Sequence, residues 1–246
     1  MGGGVGLSAH GRHRVVTERT KLAMPEVGLG FFPDVGGTWL LSRSPGEIGT
    51  YFGLTGQTMN GPDAIYAAFC RRGGAVRQTC RPARGADQAS RRRELRARSK
   101  PLIDGFATGE TSGPVAALRA ADRSPGSPMT GWRTSSPRLE RDGSELAQAT
   151  LKTLNEKSPR GMVVALKLLR LARASSSLEQ CLVREYRAAL EVFASDDFRE
   201  GVRAAVIDKD RNPKWSPPRI EDVTPEMVAP YFAEIGADEL KFDKAR

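Results

Sequence analysis

The chain of 246 residues is 39% hydrophobic and carries a formal net charge of +9. This length and apolar content are enough to bury a core in one domain, or in one domain with an appendage. No stretch approaches the ~20 apolar residues that a helix needs to cross a bilayer, and the first residues lack the basic-then-apolar order of a signal peptide. We therefore expect no membrane partner.

The few cysteines and histidines are scattered along the chain. Cys70, Cys80 and Cys181 have no CxxC spacing, and His10 and His13 are the two histidines. This pattern argues against a zinc site and against a disulfide framework, and it fits a reducing compartment. We expect no metal, a cytoplasmic location, and both histidines in a surface loop.

The excess positive charge is confined to one segment. Residues Arg71 to Lys100 contain eleven Lys and Arg residues and two acids, and the rest of the chain is neutral. The segment has no helical or strand periodicity, and residues 119–138 form a second unusual stretch rich in Ser, Pro and Arg. The composition favours out-of-frame translation of a GC-rich gene, with a solvated linker as the alternative. A basic arm for nucleic acid is disfavoured because Arg71 to Lys100 contains no aromatic residue that stacks on a base.

The composition divides the chain into three parts. Residues 1–70 are rich in glycine and apolar residues and predict an α/β core, residues 71–141 predict a largely irregular basic and Ser/Pro-rich segment, and residues 142–246 predict a helical region. In the first part, GGGVGLSAH predicts a glycine turn that opens a short helix, and RVVTERTKLAM predicts two short strands around a polar turn. Three further helices are predicted from VGGTWLLSR, PGEIGTYFGLTG and GPDAIYAAF, the last with proline in its first turn.

The C-terminal part has clear helix-start signals. Pro159 lies near the start of one predicted helix, Ser177 and Gln180 have capping-box spacing, and Ser195 or Asp196 caps the next helix. Thr224 and Pro225 predict a further start. The helix after Ser177 is predicted to bury one apolar face, made of Leu178, Cys181, Leu182, Tyr186, Ala189, Leu190 and Phe193.

Two acids lie within an apolar, glycine-rich run, AMPEVGLGFFPDVGG. Glu26 and Asp34 are surrounded there by Phe31, Phe32 and other apolar residues. Such surroundings disfavour the ionised carboxylate and raise its pKa toward the pH at which a general base works. The glycine turn near Gly3 suits either phosphate binding or stabilisation of a developing negative charge. It lacks the spacing of a dinucleotide loop and the Gly-Lys-Ser/Thr of a P-loop, which disfavours a nucleotide site.

The run from Met1 to Arg43, with Leu54-Thr55-Gly56 after it, resembles the crotonase (enoyl-CoA hydratase/isomerase) superfamily. Within that superfamily it is most similar to the 3-hydroxyisobutyryl-CoA hydrolase branch, as is the tail REYRAALEVFASDDFREGVRAAVIDKDRNPKW. The resemblance covers roughly residues 1–70, 101–118 and 140–235. It implies an α/β fold, a partial crotonase-like ββα spiral core followed by a C-terminal helical region.

The resemblance also implies roles for individual residues. Gly6 stands where hydratases carry a catalytic glutamate, and Asp34 stands where they usually carry a small residue. Glu26 is expected to be the base or nucleophile at the thioester carbonyl, and Asp34 is expected to position the substrate hydroxyl or the attacking water. The N–H of Gly3 is expected to donate to the oxyanion.

The resemblance therefore implies an acyl-CoA thioester hydrolase of valine breakdown that needs no cofactor, because CoA is part of the substrate. Another crotonase-type hydratase or isomerase and a non-enzymatic basic protein are the alternatives, and an oligomer is compatible with the sequence. Met1 matches an internal methionine of the family pattern, and the second oxyanion donor of the family lies upstream of it. We therefore expect a truncated chain that is inactive on its own.

Overall fold

The computed structural model describes residues 1–70, the backbone of residues 72–73, and residues 144–242. The predicted irregular segment 71–141 lies outside the described residues, apart from those two. The three-part division of the chain therefore stays a prediction. The described residues are mostly helical, and they contain a parallel pair of two-residue strands in which Val15 pairs with Arg72 and Val16 with Gly73.

The first part of the chain follows the predicted order of elements. Its helices and strands are α1 (Gly3–Ser8), β1 (Val15–Val16), a 3₁₀ turn (Glu26–Leu29), α2 (Gly37–Ser42), α3 (Ile48–Thr55), α4 (Gly61–Tyr66) and β2 (Arg72–Gly73). The second strand predicted in RVVTERTKLAM is only a single bridge between Leu22 and Met59. Helix α4 begins with a capping box, in which Asn60 and Asp63 each accept a hydrogen bond from the other's backbone N–H.

The C-terminal part is helical, as predicted. Its elements are α5 (Glu145–Asn155), α6 (Pro159–Arg173), α7 (Leu178–Ala194), α8 (Asp196–Val202), a π-helical turn (Arg203–Ile207), a 3₁₀ turn (Ile220–Asp222), α9 (Pro225–Val228) and two 3₁₀ turns (Ala229–Phe232 and Gly236–Asp238). Ser177, Ser195 and Thr224 cap α7, α8 and α9. The predicted capping box at α7 is only half formed, because the Gln180 side chain accepts from the backbone N–H of Ser176 and not from that of Ser177.

The two described parts share a hydrophobic core. Val27, Phe31 and Phe32 from the first part lie in one buried cluster with Leu168 of α6 and Val192 of α7. Each of these five residues is at most 7% exposed. Burying apolar surface of this kind is the main driving force of folding. The acid-bearing run of residues 23–37 therefore packs against the C-terminal helices.

The predicted buried face of α7 is only partly correct, because Cys181 is buried as predicted but the large residues further along the helix are not. Tyr186, Leu190 and Phe193 are 37%, 43% and 57% exposed, and the buried stripe consists of Cys181, Glu185, Ala188 and Val192. The stripe keeps helical spacing, but it contains small residues and a carboxylate, Glu185, that bonds to the backbone of Gly36 and Thr38. The pattern of large apolar residues therefore indicates the wrong face.

None of the helices within residues 1–70 and 144–242 combines the length and apolar character required to cross a membrane.

Candidate active site

Glu26 begins the 3₁₀ turn Glu26–Leu29, and its carboxylate lies against the glycines of α1. A Cβ atom at Gly2 would lie 3.3 Å from Glu26 Oε1. The other carboxylate oxygen, Oε2, is buried and has no hydrogen-bond partner among the described residues. Burial raises the pKa of Glu26 to about 7, and the negative charge of Asp34 acts in the same direction. A buried carboxylate oxygen without a partner is costly, which is typical of a functional group.

Asp34 opens a tight turn of unusual conformation, which we call the Asp34 turn (residues 34–37). The N–H of Gly37 donates to the carbonyl of Asp34 over 2.7 Å, and the two central residues, Val35 and Gly36, have φ angles of 49° and 78°. This is the pattern of a type I′ turn, which favours Asn or Gly at both central positions. A β-branched residue there is strained by roughly 1–3 kcal/mol. Burial raises the pKa of Asp34.

The charge of Asp34 acts on Glu26, since it raises the pKa of Glu26, and a third carboxylate, Glu185, bonds to the Asp34 turn. Glu185 lies on α7 and is 3% exposed. Its carboxylate accepts hydrogen bonds from the N–H of Gly36 over 2.8 Å, from the N–H of Thr38 over 3.1 Å and from the Thr38 hydroxyl. Burial raises the pKa of Glu185 to about 7, and the charge of Asp34 also raises it.

Sequence reasoning missed Glu185. The signal that identifies it is its spacing in the stripe Cys181, Glu185, Ala188 and Val192, where a charged residue lies between small and apolar ones. Within the described residues, no three His, Cys, Asp or Glu side chains are placed to hold a metal ion. The three carboxylates are instead distributed around a backbone turn, with Glu185 bound to amide and hydroxyl donors.

The segment that carries Glu26 is supported by close backbone packing against α8. A Cβ atom at Gly30 would lie 2.6 Å from the carbonyl carbon of Asp197, and one at Gly201 would lie 2.7 Å from the Cα of Leu29. In addition, the N–H of Ser158 donates to the carbonyl of Val27 over 3.2 Å. Such contacts hold a residue rigidly because the backbone has little room to shift. The C-terminal region therefore supports the segment that carries Glu26.

The glycines of α1 have two different environments. Gly3 is exposed, and nothing lies within 4 Å of a Cβ atom at this position. Its N–H is in the first turn of α1, where amides have no acceptor within the helix. At Gly6, by contrast, a Cβ atom would lie 2.5 Å from Val35 Cβ. The site therefore has no room for a side chain at position 6, where hydratases are expected to carry their second acid.

His10 also contacts the Asp34 turn. Both histidines are exposed, as predicted, but the His10 ring donates from Nε2 to the carbonyl of Val35 over 3.0 Å. This hydrogen bond holds the outer side of the turn, and Glu185 holds its buried side. The ring is within hydrogen-bond distance of the turn backbone and not of either acid.

The model of one family, described as Enoyl-CoA hydratase/isomerase, matches residues 1–232. The chain belongs to this family, and its fold is the α/β crotonase fold in partial form. The matched range includes residues 71–141, so it is wider than the resemblance seen in the sequence. Out-of-frame translation as the origin of residues 71–141 stays an interpretation.

Individual relatives are named for reactions of CoA thioesters. The chain is 36% identical to the mitochondrial 3-hydroxyisobutyryl-CoA hydrolase of Mus musculus, over 98% of the chain and 63% of that protein. It is 37% identical to 3-hydroxyisobutyryl-CoA hydrolase 1 of Arabidopsis thaliana, over 98% and 65%. The chain thus spans a little under two thirds of the length of these curated relatives.

Among solved structures, a carnitinyl-CoA dehydratase from Mycobacterium thermoresistibile matches with a TM-score of 0.83 and 34% identity, over 100% of the chain and 68% of that protein. An enoyl-CoA hydratase from Rhodobacter sphaeroides 2.4.1 matches with a TM-score of 0.80 and 37% identity, over 98% and 68%. The two TM-scores confirm the fold. The two proteins are, however, named for dehydration and hydration and not for thioester hydrolysis.

The prediction of a cytoplasmic location is wrong. The relatives from Mus musculus and Homo sapiens are both named as mitochondrial. The cysteine pattern argues only against an oxidising compartment, and it does not distinguish among compartments that keep thiols reduced.

Proposed function

We propose that the chain carries the catalytic acids of an acyl-CoA thioester hydrolase, with 3-hydroxyisobutyryl-CoA as the substrate and valine breakdown as the context. The observation that carries this proposal is the pair of acids with raised pKa values, Glu26 and Asp34, beside a position 6 that has no room for a side chain. The relatives named as hydrolases support the choice of substrate. The proposed reaction uses no cofactor, because CoA is part of the substrate.

Glu26 acts at the thioester carbonyl. A carboxylate with a pKa of about 7 is partly ionised at neutral pH and is basic enough to accept a proton from water. Its unpartnered Oε2 is free to accept that proton or to attack the carbonyl carbon directly. Both routes form a tetrahedral oxyanion that expels the thiolate of CoA. Attack by water gives the carboxylic acid directly, whereas attack by Glu26 gives a mixed anhydride that water then hydrolyses to the carboxylic acid and free Glu26.

Asp34 binds the hydroxyl group of the substrate or the attacking water. The negative charge of Asp34 contributes to the raised pKa of Glu26, which supports a shared site for the two groups. The N–H of Gly3 donates to the oxyanion. One such donor is worth about 10²- to 10³-fold in turnover.

The alternative is hydration or isomerisation of an enoyl thioester, which the names of the two similar structures favour. Hydration requires a second acid that donates a proton to the substrate carbon. Val35 crowds position 6, so an acidic side chain does not fit there. The second acid of this chain is Asp34, at another position, and this difference disfavours the alternative.

The test compares two thioesters as substrates of a longer protein, which we call the extended chain. In it, the upstream region expected from the family resemblance precedes Met1. We expect release of thiol from 3-hydroxyisobutyryl-CoA and no loss of the enoyl absorbance of crotonyl-CoA. Hydration of crotonyl-CoA without thiol release from the hydroxy thioester contradicts the proposal.

A further inference from the structure

We propose that Glu185 is a positioning residue for Asp34: its buried carboxylate holds the Asp34 turn from the side of α7 and thereby fixes the place of the Asp34 carboxyl. The inference deepens the proposed function, on which it rests for the role of Asp34 at the substrate. The geometry of the turn itself is independent of that role.

The Asp34 turn needs an external support. Its central residues Val35 and Gly36 both have left-handed backbone conformations, and Val35 is β-branched. A chain with valine at this position favours other conformations of the turn. An alternative conformation would move the carboxyl of Asp34, since Asp34 is the first residue of the turn.

Glu185 supplies this support through three hydrogen bonds to adjacent parts of one segment. Oε2 accepts from the N–H of Gly36, and Oε1 accepts from the N–H and the hydroxyl of Thr38. Gly36 lies at the centre of the turn and Thr38 in the first turn of α2. The carboxylate thus links the turn to the start of α2. Glu185 itself lies 149 residues after Gly36 in the sequence.

Stability alone does not explain a carboxylate at this place. The rest of the buried stripe of α7 consists of Cys181, Ala188 and Val192, and replacing a buried charge by an apolar residue of similar size is often neutral or stabilising. Glu185 also lies close enough to Asp34 for the two charges to repel. Orientation of the turn is a function that an apolar residue could not perform, because the two amides need an acceptor.

The first experiment measures the turn without turnover, in the chain as it stands. The carbon-13 signal of the Asp34 carboxyl, identified by its loss in Asp34→Asn, is titrated in the parent and in Glu185→Gln. We expect the pKa of Asp34 to fall in Glu185→Gln, because burial raises this pKa and the loosened turn is better solvated. Glu179→Gln is the control, since Glu179 is an exposed acid on the same helix.

A second substitution separates positioning from the loss of charge. Val35→Asn introduces the residue type that a type I′ turn prefers, so it should restore the turn when Glu185 no longer holds it. We expect the double variant Glu185→Gln/Val35→Asn to recover part of the Asp34 pKa change, although the charge of Glu185 is still missing. No recovery contradicts a positioning role. If Glu185→Gln does not fold, Thr38→Val removes one of the three donors and is expected to change the Asp34 pKa in the same direction.

The kinetic readout uses the extended chain. Glu185→Gln is expected to lower kcat about tenfold or more, and Val35→Asn is expected to raise kcat by a larger factor in the Glu185→Gln background than in the parent. Equal factors in both backgrounds, or a kcat of folded Glu185→Gln within about twofold of the parent, would overturn the inference. Absence of thiol release in the parent contradicts the proposed function alone, because the titration reports on the turn without turnover.

Discussion

The side chain of Val35 occupies the space that any side chain at position 6 would need. A Cβ atom at Gly6 would lie 2.5 Å from Val35 Cβ, which is well inside the 3.5–4.0 Å of an ordinary carbon–carbon contact. Val35 is held in this place by its left-handed backbone. The Asp34 turn and the absence of a side chain at position 6 are therefore two aspects of one arrangement.

This relationship predicts that Gly6→Glu does not create a hydratase. The new side chain would displace Val35 and distort the Asp34 turn, at a cost of about 1–3 kcal/mol for overpacking. We expect a lower melting temperature by circular dichroism, and no hydration of crotonyl-CoA by the extended chain. Gly4→Glu is the matched control, because nothing lies within 4 Å of a Cβ atom at Gly4. A Gly6→Glu variant as stable as Gly4→Glu would contradict the packing described here.

The oxyanion role of Gly3 is tested by removing its N–H without a change of shape elsewhere. Gly3 is the first residue of α1, a position that accepts proline because its N–H has no partner within the helix. Gly3→Pro should therefore fold, and kcat of the extended chain should fall by about 10²- to 10³-fold. Gly3→Ala keeps the N–H and has open space for its methyl group, so it should retain activity. Equal activity of the two variants would exclude Gly3 as a donor.

The two acids are expected to differ in their kinetic effects. Glu26→Gln keeps the shape of the side chain and removes the base, so kcat of the extended chain should fall by about a hundredfold or more. Asp34→Asn should act mainly through the substrate hydroxyl. We therefore expect the ratio of kcat/KM for the hydroxy thioester to that for an acyl-CoA without the hydroxyl to be smaller in Asp34→Asn than in the parent. Turnover of Glu26→Gln near that of the parent would return this residue to a structural role.

Local signals in the sequence predicted much of the fold. The caps at Ser177, Ser195 and Thr224 begin helices as expected, because capping depends on residues only three or four positions apart. The Glu26 and Asp34 pair was also visible, since two charged residues in an apolar run are conspicuous. Both kinds of signal lie within a short stretch of the chain.

The support of the site was not visible in the sequence, because it depends on contacts between distant residues. Glu185 bonds to Gly36 from 149 positions away, and Gly201 approaches the backbone of Leu29 across a similar separation. On α7 the large residues Tyr186, Leu190 and Phe193 suggested the buried face, yet these residues are exposed and the buried stripe includes Glu185, which bonds to Gly36. Tertiary packing of this kind overrides the apolar pattern of a single helix.

The buried carboxylates predict that the chain is more stable at mildly acidic pH. The pKa values of Glu26 and Glu185 rise from 4.5 to about 7 in the folded chain. Folding therefore favours their protonated forms, and this contribution to stability is fully present below pH 4.5 and is lost as the pH rises through about 7. A shift of this size corresponds to on the order of 3 kcal/mol for each group. Glu200 has a pKa lowered to about 2 by Arg203, so its opposite contribution is lost only at pH values below 4.5.

We expect the melting temperature of the chain to be higher at pH 5 than at pH 8, measured by circular dichroism at constant ionic strength. Glu26→Gln removes one of the buried carboxyls whose pKa is raised, so it should reduce the difference and raise the melting temperature mainly at pH 8. Glu179→Gln, on the exposed side of α7, should leave the difference unchanged, because the pKa of Glu179 is lowered and not raised. A melting temperature that is equal at both pH values, or higher at pH 8, would show that the two carboxylates are ionised in the folded chain without cost.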